Sequence, residues 1–114
     1  MPAELQYKTV TIASGASLSP EVGMDGYHLI GIVMPAAWTA AAITFQGAAD
    51  GATYNSVYDN NGTEVTVQAS ASRHIQLTPS LLSGLSAVKL RSGTAGVPVN
   101  QGADRVLGLV FRAY

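Results

Sequence analysis

Two histidines, His28 and His74, and three carboxylates beside turn residues, Asp50, Asp59 and Glu64, are the side chains whose chemistry admits acid–base or nucleophilic catalysis. Such catalysis needs a nucleophile, a base and an orienting group within hydrogen-bond reach. His28 lies inside the apolar run Tyr27 to Met34, a setting that suits a core or interface histidine. His74 follows Arg73 in a run whose apolar members are Ile75 and Leu77, so it is expected on the polar side. No Gly-x-Ser-x-Gly elbow holds a serine. Glycoside hydrolysis needs two acids facing one bond, yet no run delivers two acids to one strand face. Aspartates in turns serve local backbone bonding instead.

The segment Asp59-Asn60-Asn61-Gly62-Thr63-Glu64 has calcium-loop composition, but an EF-hand needs glycine sixth and glutamate twelfth between helices. Here glycine comes fourth between β-prone runs. A looser calcium site from Asp50, Asp59 and nearby carbonyls stays open as an alternative. Asn61-Gly62-Thr63 matches a glycosylation sequon, set aside because the hairpin tip is expected to be buried and no signal peptide is seen. There are no cysteines, hence no disulfide, no thiolate metal site and no cysteine nucleophile. No phosphate-binding glycine loop or metal-spaced histidine cluster occurs. The expectation is a protein that is not an enzyme and carries no cofactor or metal.

Three aromatics, Trp38, Tyr54 and Tyr58, lie in an acidic neighbourhood, whereas single-stranded nucleic acid asks for aromatics among basic residues. They are candidates for stacking on sugar rings, giving a glycan-binding alternative. The competing expectation for Trp38, beside a strand corner, is a plug in the core.

The elements that would position these residues are strands. Runs of five to eight β-prone residues alternate with Gly, Pro, Asn, Asp and Ser clusters. Strands are expected over Gln6–Ile12, Tyr27–Met34, Ala42–Ala48, Tyr54–Tyr58, Glu64–Gln68, Arg73–Leu77, Ala87–Ser92 and Val106–Arg112. The near-continuous apolar run Tyr27–Met34 suggests a central strand covered on both faces, and Pro35 ends it because proline cannot donate to a ladder. Asn61-Gly62 predicts a type I′ hairpin turn. Thr78 to Leu85 has room for one helical turn at most. Eight strands at roughly ten-residue spacing give an antiparallel β-sandwich, of jelly-roll type if arranged as two Greek keys. An immunoglobulin-like sandwich or closed barrel stays open. Residues 1–114 form one domain, with residues 1–6 as a flexible N-terminal arm.

Composition points to assembly. Charged residues make up 11% of the 114, against about 25% in ordinary soluble domains. Interface cores are depleted in charge, so part of this surface is expected to face other protein, with a homo-oligomer the natural case. A net charge of −1 supplies no basic field for nucleic acid or anionic lipid. Leu29 to Ala49 is uncharged for long enough to raise a membrane span, but Pro35, Trp38 and Gln46 interrupt it and β-branched residues flank it. Two strands around a corner explain it better. The N-terminus has neither the basic nor the apolar region of a signal peptide.

Two stretches carry a family resemblance: Met34-Pro35-Ala36-Ala37-Trp38 through Phe45-Gln46 to Asp50-Gly51-Ala52-Thr53-Tyr54, and Val88-Lys89-Leu90-Arg91-Ser92-Gly93-Thr94 with Pro98-Val99-Asn100-Gln101 and Asp104-Arg105. They resemble small structural proteins of tailed bacteriophages over about Tyr27 to Arg112. The same order of features is similar to discoidin-type jelly rolls, without the cysteine pair of extracellular members. The phage resemblance implies a virion component made in the host cytoplasm: a head decoration (cement) protein binding the major capsid protein or other virion proteins. The expected contacts are Pro2, Leu5 and Tyr7 in the arm and Thr94, Val97, Pro98, Asn100 and Gln101 in the long loop, with Arg91 and Arg105 as ion-pair anchors. A tail-fibre adhesion module or a tail or connector assembly protein are the alternatives.

Overall fold

A computed structural model of the chain describes residues 5–113. Among these residues there are eight strands: β1 (Leu5–Ile12), β2 (Val22–Gly23), β3 (Tyr27–Val33), β4 (Ile43–Ala48), β5 (Asn55–Ser56), β6 (His74–Gln76), β7 (Ala87–Ser92) and β8 (Arg105–Ala113). They form two four-stranded sheets, ordered β1-β8-β3-β6 and β2-β7-β4-β5, with every pairing antiparallel. The fold is therefore the expected all-β sandwich. First strand pairs with last, second with seventh, third with sixth and fourth with fifth, so the chain runs as one long hairpin doubled at β4–β5 and wrapped into two layers.

The core lies between the sheets. Leu107, Leu109 and Phe111 of β8 alternate inward and meet Val88 and Leu90 of β7 and Ile43 and Phe45 of β4, all closed to solvent. Burying each such side chain contributes roughly 1.5–3 kcal/mol. Trp38, Val57, Val65 and Leu85 pack against this cluster from the loops.

The apolar run in β3 has a different cause from the one expected. A bulge between Leu29 and Gly31 shifts the register, with Leu29 opposite Phe111 and Gly31 opposite Val110. The extra residue turns Leu29 and Ile32, three apart, to the same inner face, where simple alternation would split them. The other face is only partly covered. Glu64–Gln68 is not a continuous strand: Tyr58 bridges Glu64 and Val67 bridges Ile43. The segment Tyr54–Tyr58 contributes only Asn55–Ser56, and the two-residue β2 was not foreseen. Leu5 and Gln6 belong to β1 and not to an arm; Pro2 lies outside the described residues.

The turn at Asn61-Gly62 also differs. Gly62 has φ +80°, but Asn61 is not among the positive-φ residues, so the type I′ requirement of two positive angles is unmet. Asp59 organises the loop instead, its Oδ1 accepting from the amides of Asn61 at 2.8 Å and Thr63 at 3.0 Å. The tip is exposed, not buried.

Candidate functional site

Three features compete for a functional role: a polar cluster under the long loop, the dispersed aromatics, and the outer face of the β1-β8-β3-β6 sheet.

The polar cluster is built on the outward side of β4 and β7. Arg91 projects from β7 onto Thr44 of β4, donating from Nε to Thr44 Oγ1 at 3.0 Å and from Nη2 to Ser56 Oγ at 3.3 Å and Glu64 Oε2 at 2.7 Å. Thr44 Oγ1 donates onward to the Gly93 carbonyl at 2.7 Å, and Glu64 accepts from the Ala95 amide. The guanidinium expected to anchor a partner is thus buried and engaged within the chain. Charge outside a sheet normally faces water; here the segment 55–67 folds over it, which strand periodicity does not reveal.

Gln101 repeats this pattern. Its Nε2 donates to the Thr39 carbonyl at 3.0 Å and Ser92 Oγ at 2.7 Å, while its Oε1 accepts from the Thr39 amide at 2.8 Å and Arg105 Nε at 3.1 Å. Gln101 is 1% exposed, so it ties the loops at this end together and presents nothing outward. Arg105 is half-buried beside it. Of the loop residues expected to make contacts, Val97, Pro98 and Asn100 are exposed and Thr94 is half-buried, its Oγ1 accepting from the Val97 amide.

The three aromatics stand in different settings. Trp38 packs on the core before β4 and donates Nε1 to the Ala41 carbonyl at 3.0 Å. Tyr54 lies by the other end of β4, half-buried, with Lys89 Nζ 4.4 Å from its ring centroid. Burial pushes its phenol above the ordinary value of 10.0, and the charges of Glu21 and Asp50 add to this. Tyr58 alone of the three is exposed. Asp50 is held below 3.8 by the Thr53 and Ala52 amides that its carboxylate accepts, an aspartate occupied with its own turn. Among the described residues, no three of His, Cys, Asp and Glu gather as a metal site, and no helix is long and apolar enough to cross a membrane. An open recess of about 540 Å³ beside Met24, Ser83 and Leu85 contains one carboxylate, Asp25, and this is bound to Lys8 at 2.6 Å.

The outer sheet face is the remaining candidate. Register places Leu5, Tyr7, Thr9 and Thr11 of β1 beside Arg112, Val110, Gly108 and Val106 of β8. His28, Gly31 and Val33 of β3 and Gln76 and His74 of β6 continue the face. Leu5 is 56%, Tyr7 61% and Val106 52% exposed. The Tyr7 ring lies across Gly108, which keeps the surface flat. Among the described residues named on this face, Arg112 alone carries a formal charge. Two of the expected contacts, Leu5 and Tyr7, are on this face. Val106 and Val110 were legible as alternating residues of β8, but which alternate set faced outward needed the second sheet.

In comparisons with known proteins, no family model, no curated protein and no solved structure matches this chain.

Proposed function

We propose that the protein is a non-enzymatic structural component of a tailed-phage virion, a head decoration protein that binds between capsid subunits and stiffens the shell. The observation that carries this reading is the outer face of the β1-β8-β3-β6 sheet, where Leu5 and Tyr7 stand exposed beside Val110 and Arg112, with Val106 exposed at the far end beside Thr11. Contiguous exposed apolar patches mark interaction sites. Covering about 1,000 Å² of mostly apolar surface would contribute on the order of 10–25 kcal/mol gross, before ordering and desolvation offset much of it. The exposed tip Val97-Pro98 offers a second contact. The low charged fraction of 11% agrees with a surface partly covered by protein, and the sequence resemblance supplies the phage assignment.

We also read the sandwich as a jelly roll. The wrapped-hairpin strand order supports that reading, since two Greek keys folded face to face give such a layout.

Immunogold labelling of purified phage particles with an antibody to this chain tests the function. Gold over the head is the expected result. Gold confined to the tail or fibre tips would replace decoration by adhesion, and unlabelled particles, intact and disrupted, would remove the virion role.

A further inference from the structure

The four sheet edges of this sandwich are unequal. β2 and β5 offer two residues each and β6 three, whereas β1 offers eight. Among the described residues the β1 backbone bonds only to β8, so its other edge presents a row of unsatisfied amides and carbonyls. Proteins usually guard such an edge with proline, a bulge or a charged residue, either protruding or pointing inward. β1 has no proline, its pairing with β8 is unbroken from Leu5 to Ile12, and its one lysine, which faces inward opposite Leu109, has its charge neutralised by Asp25. Lys8 Nζ bonds the Gly23 carbonyl at 3.1 Å and Asp25 Oδ2 at 2.6 Å, and lies 5.2 Å from the centroid of the Phe111 ring. An open groove of about 460 Å³, lined by Lys8–Thr11 and Pro20–Gly23, runs beside the same edge.

The geometry points to a second copy of this chain as the occupant: β1 pairs antiparallel with β1 of that copy about a twofold axis at Thr9, making one continuous eight-stranded sheet. This inference rests on the assembly reading above and names its partner. Antiparallel pairing keeps side-chain faces matched only when the register preserves parity. Centred on Thr9, the register sets Tyr7 opposite Thr11 of the second copy and Lys8 opposite Val10, so no like charges stand directly opposite, and each Lys8 keeps its own Asp25. Centred on Lys8, two lysines would oppose each other. A net charge of −1 gives the copies little mutual repulsion. The eight residues at about 3.4 Å each give an edge about 27 Å long for pairing. The twofold joins the two outer faces into one wider surface for a shell.

Sedimentation equilibrium of the full chain between about 1 and 500 µM tests this, a range that brackets ordinary protein association. The expected result is a monomer–dimer equilibrium with no higher species. Thr9→Lys places two lysines opposite each other and is expected to weaken association at least about tenfold. Asn55→Lys, on the β5 edge of the other sheet, is expected to leave it unchanged. A wild-type chain that stays monomeric throughout, or a folded Thr9→Lys chain that associates as tightly as wild type, overturns the proposal. Should Thr9→Lys not fold, hydrogen exchange of the wild type decides: β1 amides that slow with concentration support the pairing, and unchanged β1 rates overturn it. A dimer that never labels phage heads would leave the pairing and remove the shell role; a monomer that labels them would do the reverse.

Discussion

Arg91 and Glu64 form a 2.7 Å ion pair whose side chains are only 7% and 14% exposed. The pair joins β7 to the segment folded over it, and Glu64 also holds the Ala95 amide of the long loop. Removing one member of a buried pair leaves a charge with no compensation, which costs about 3–5 kcal/mol. Glu64→Ala is expected to lower stability by about 3 kcal/mol and Tm by roughly 10 °C. In Glu64→Ala/Arg91→Met most of that loss should return, because the stranded charge is gone. Urea unfolding of both variants checks this; a Glu64→Ala loss below about 0.5 kcal/mol would place the pair among weak surface bridges.

Gln101 makes four side-chain hydrogen bonds, two of them to the backbone of Thr39. Gln101→Leu keeps most of the volume and strips every donor and acceptor. With its partners stranded in a buried setting, the loss should be about 2–4 kcal/mol. The Thr39 amide should also exchange faster with solvent. A neutral substitution would mean that water replaces the amide there.

The positions that sequence reasoning placed well are those where one period decides the answer. Leu107, Leu109 and Phe111 alternate without interruption, and all three are in the core. It failed where one residue breaks the period or a distant segment covers a surface. The bulge at Leu29/Gly31 mimics a strand buried on both faces. Arg91 has the pattern of a solvent-facing strand residue, and the segment carrying Ser56 and Glu64, 35 and 27 positions away, closes over it. Gln101 sits in a loop with the composition of a contact surface, yet its amide matches the Thr39 backbone 62 positions away. Of the outer face, Leu5 and Tyr7 were legible as a pair; their company with Val106 and Val110 is a consequence of register.

Asp50 gives a pH signature. Its pKa is depressed in the folded state by the Thr53 and Ala52 amides, so the folded state binds its proton less readily than the unfolded chain. The stabilisation is therefore present above the unfolded value of 3.8 and lost as pH falls through the folded one. Wild type should exceed Asp50→Ala in stability at pH 7, with the gap closing below pH 3.8. Absorbance titration should also show the Tyr54 phenol ionising at lower pH in Asp50→Ala, because one of the charges raising it is removed. A gap independent of pH would assign the loss to something other than the carboxylate.

Trp38 and Tyr58 separate the core plug from the sugar platform. Trp38 packs on the core and its indole N–H is satisfied by Ala41, so Trp38→Ala should cost about 2 kcal/mol, less than the 3–5 of a fully buried tryptophan. Tyr58 is 53% exposed, and Tyr58→Ala should fall within about 0.5 kcal/mol of wild type. Stacking on a sugar needs a free ring face, and a face packed against the core is not free. Millimolar mono- and oligosaccharides should accordingly leave the fluorescence of the lone tryptophan unchanged. Saturable quenching by a sugar, together with a neutral Trp38→Ala, would reverse the assignment and make the loop before β4 a glycan site.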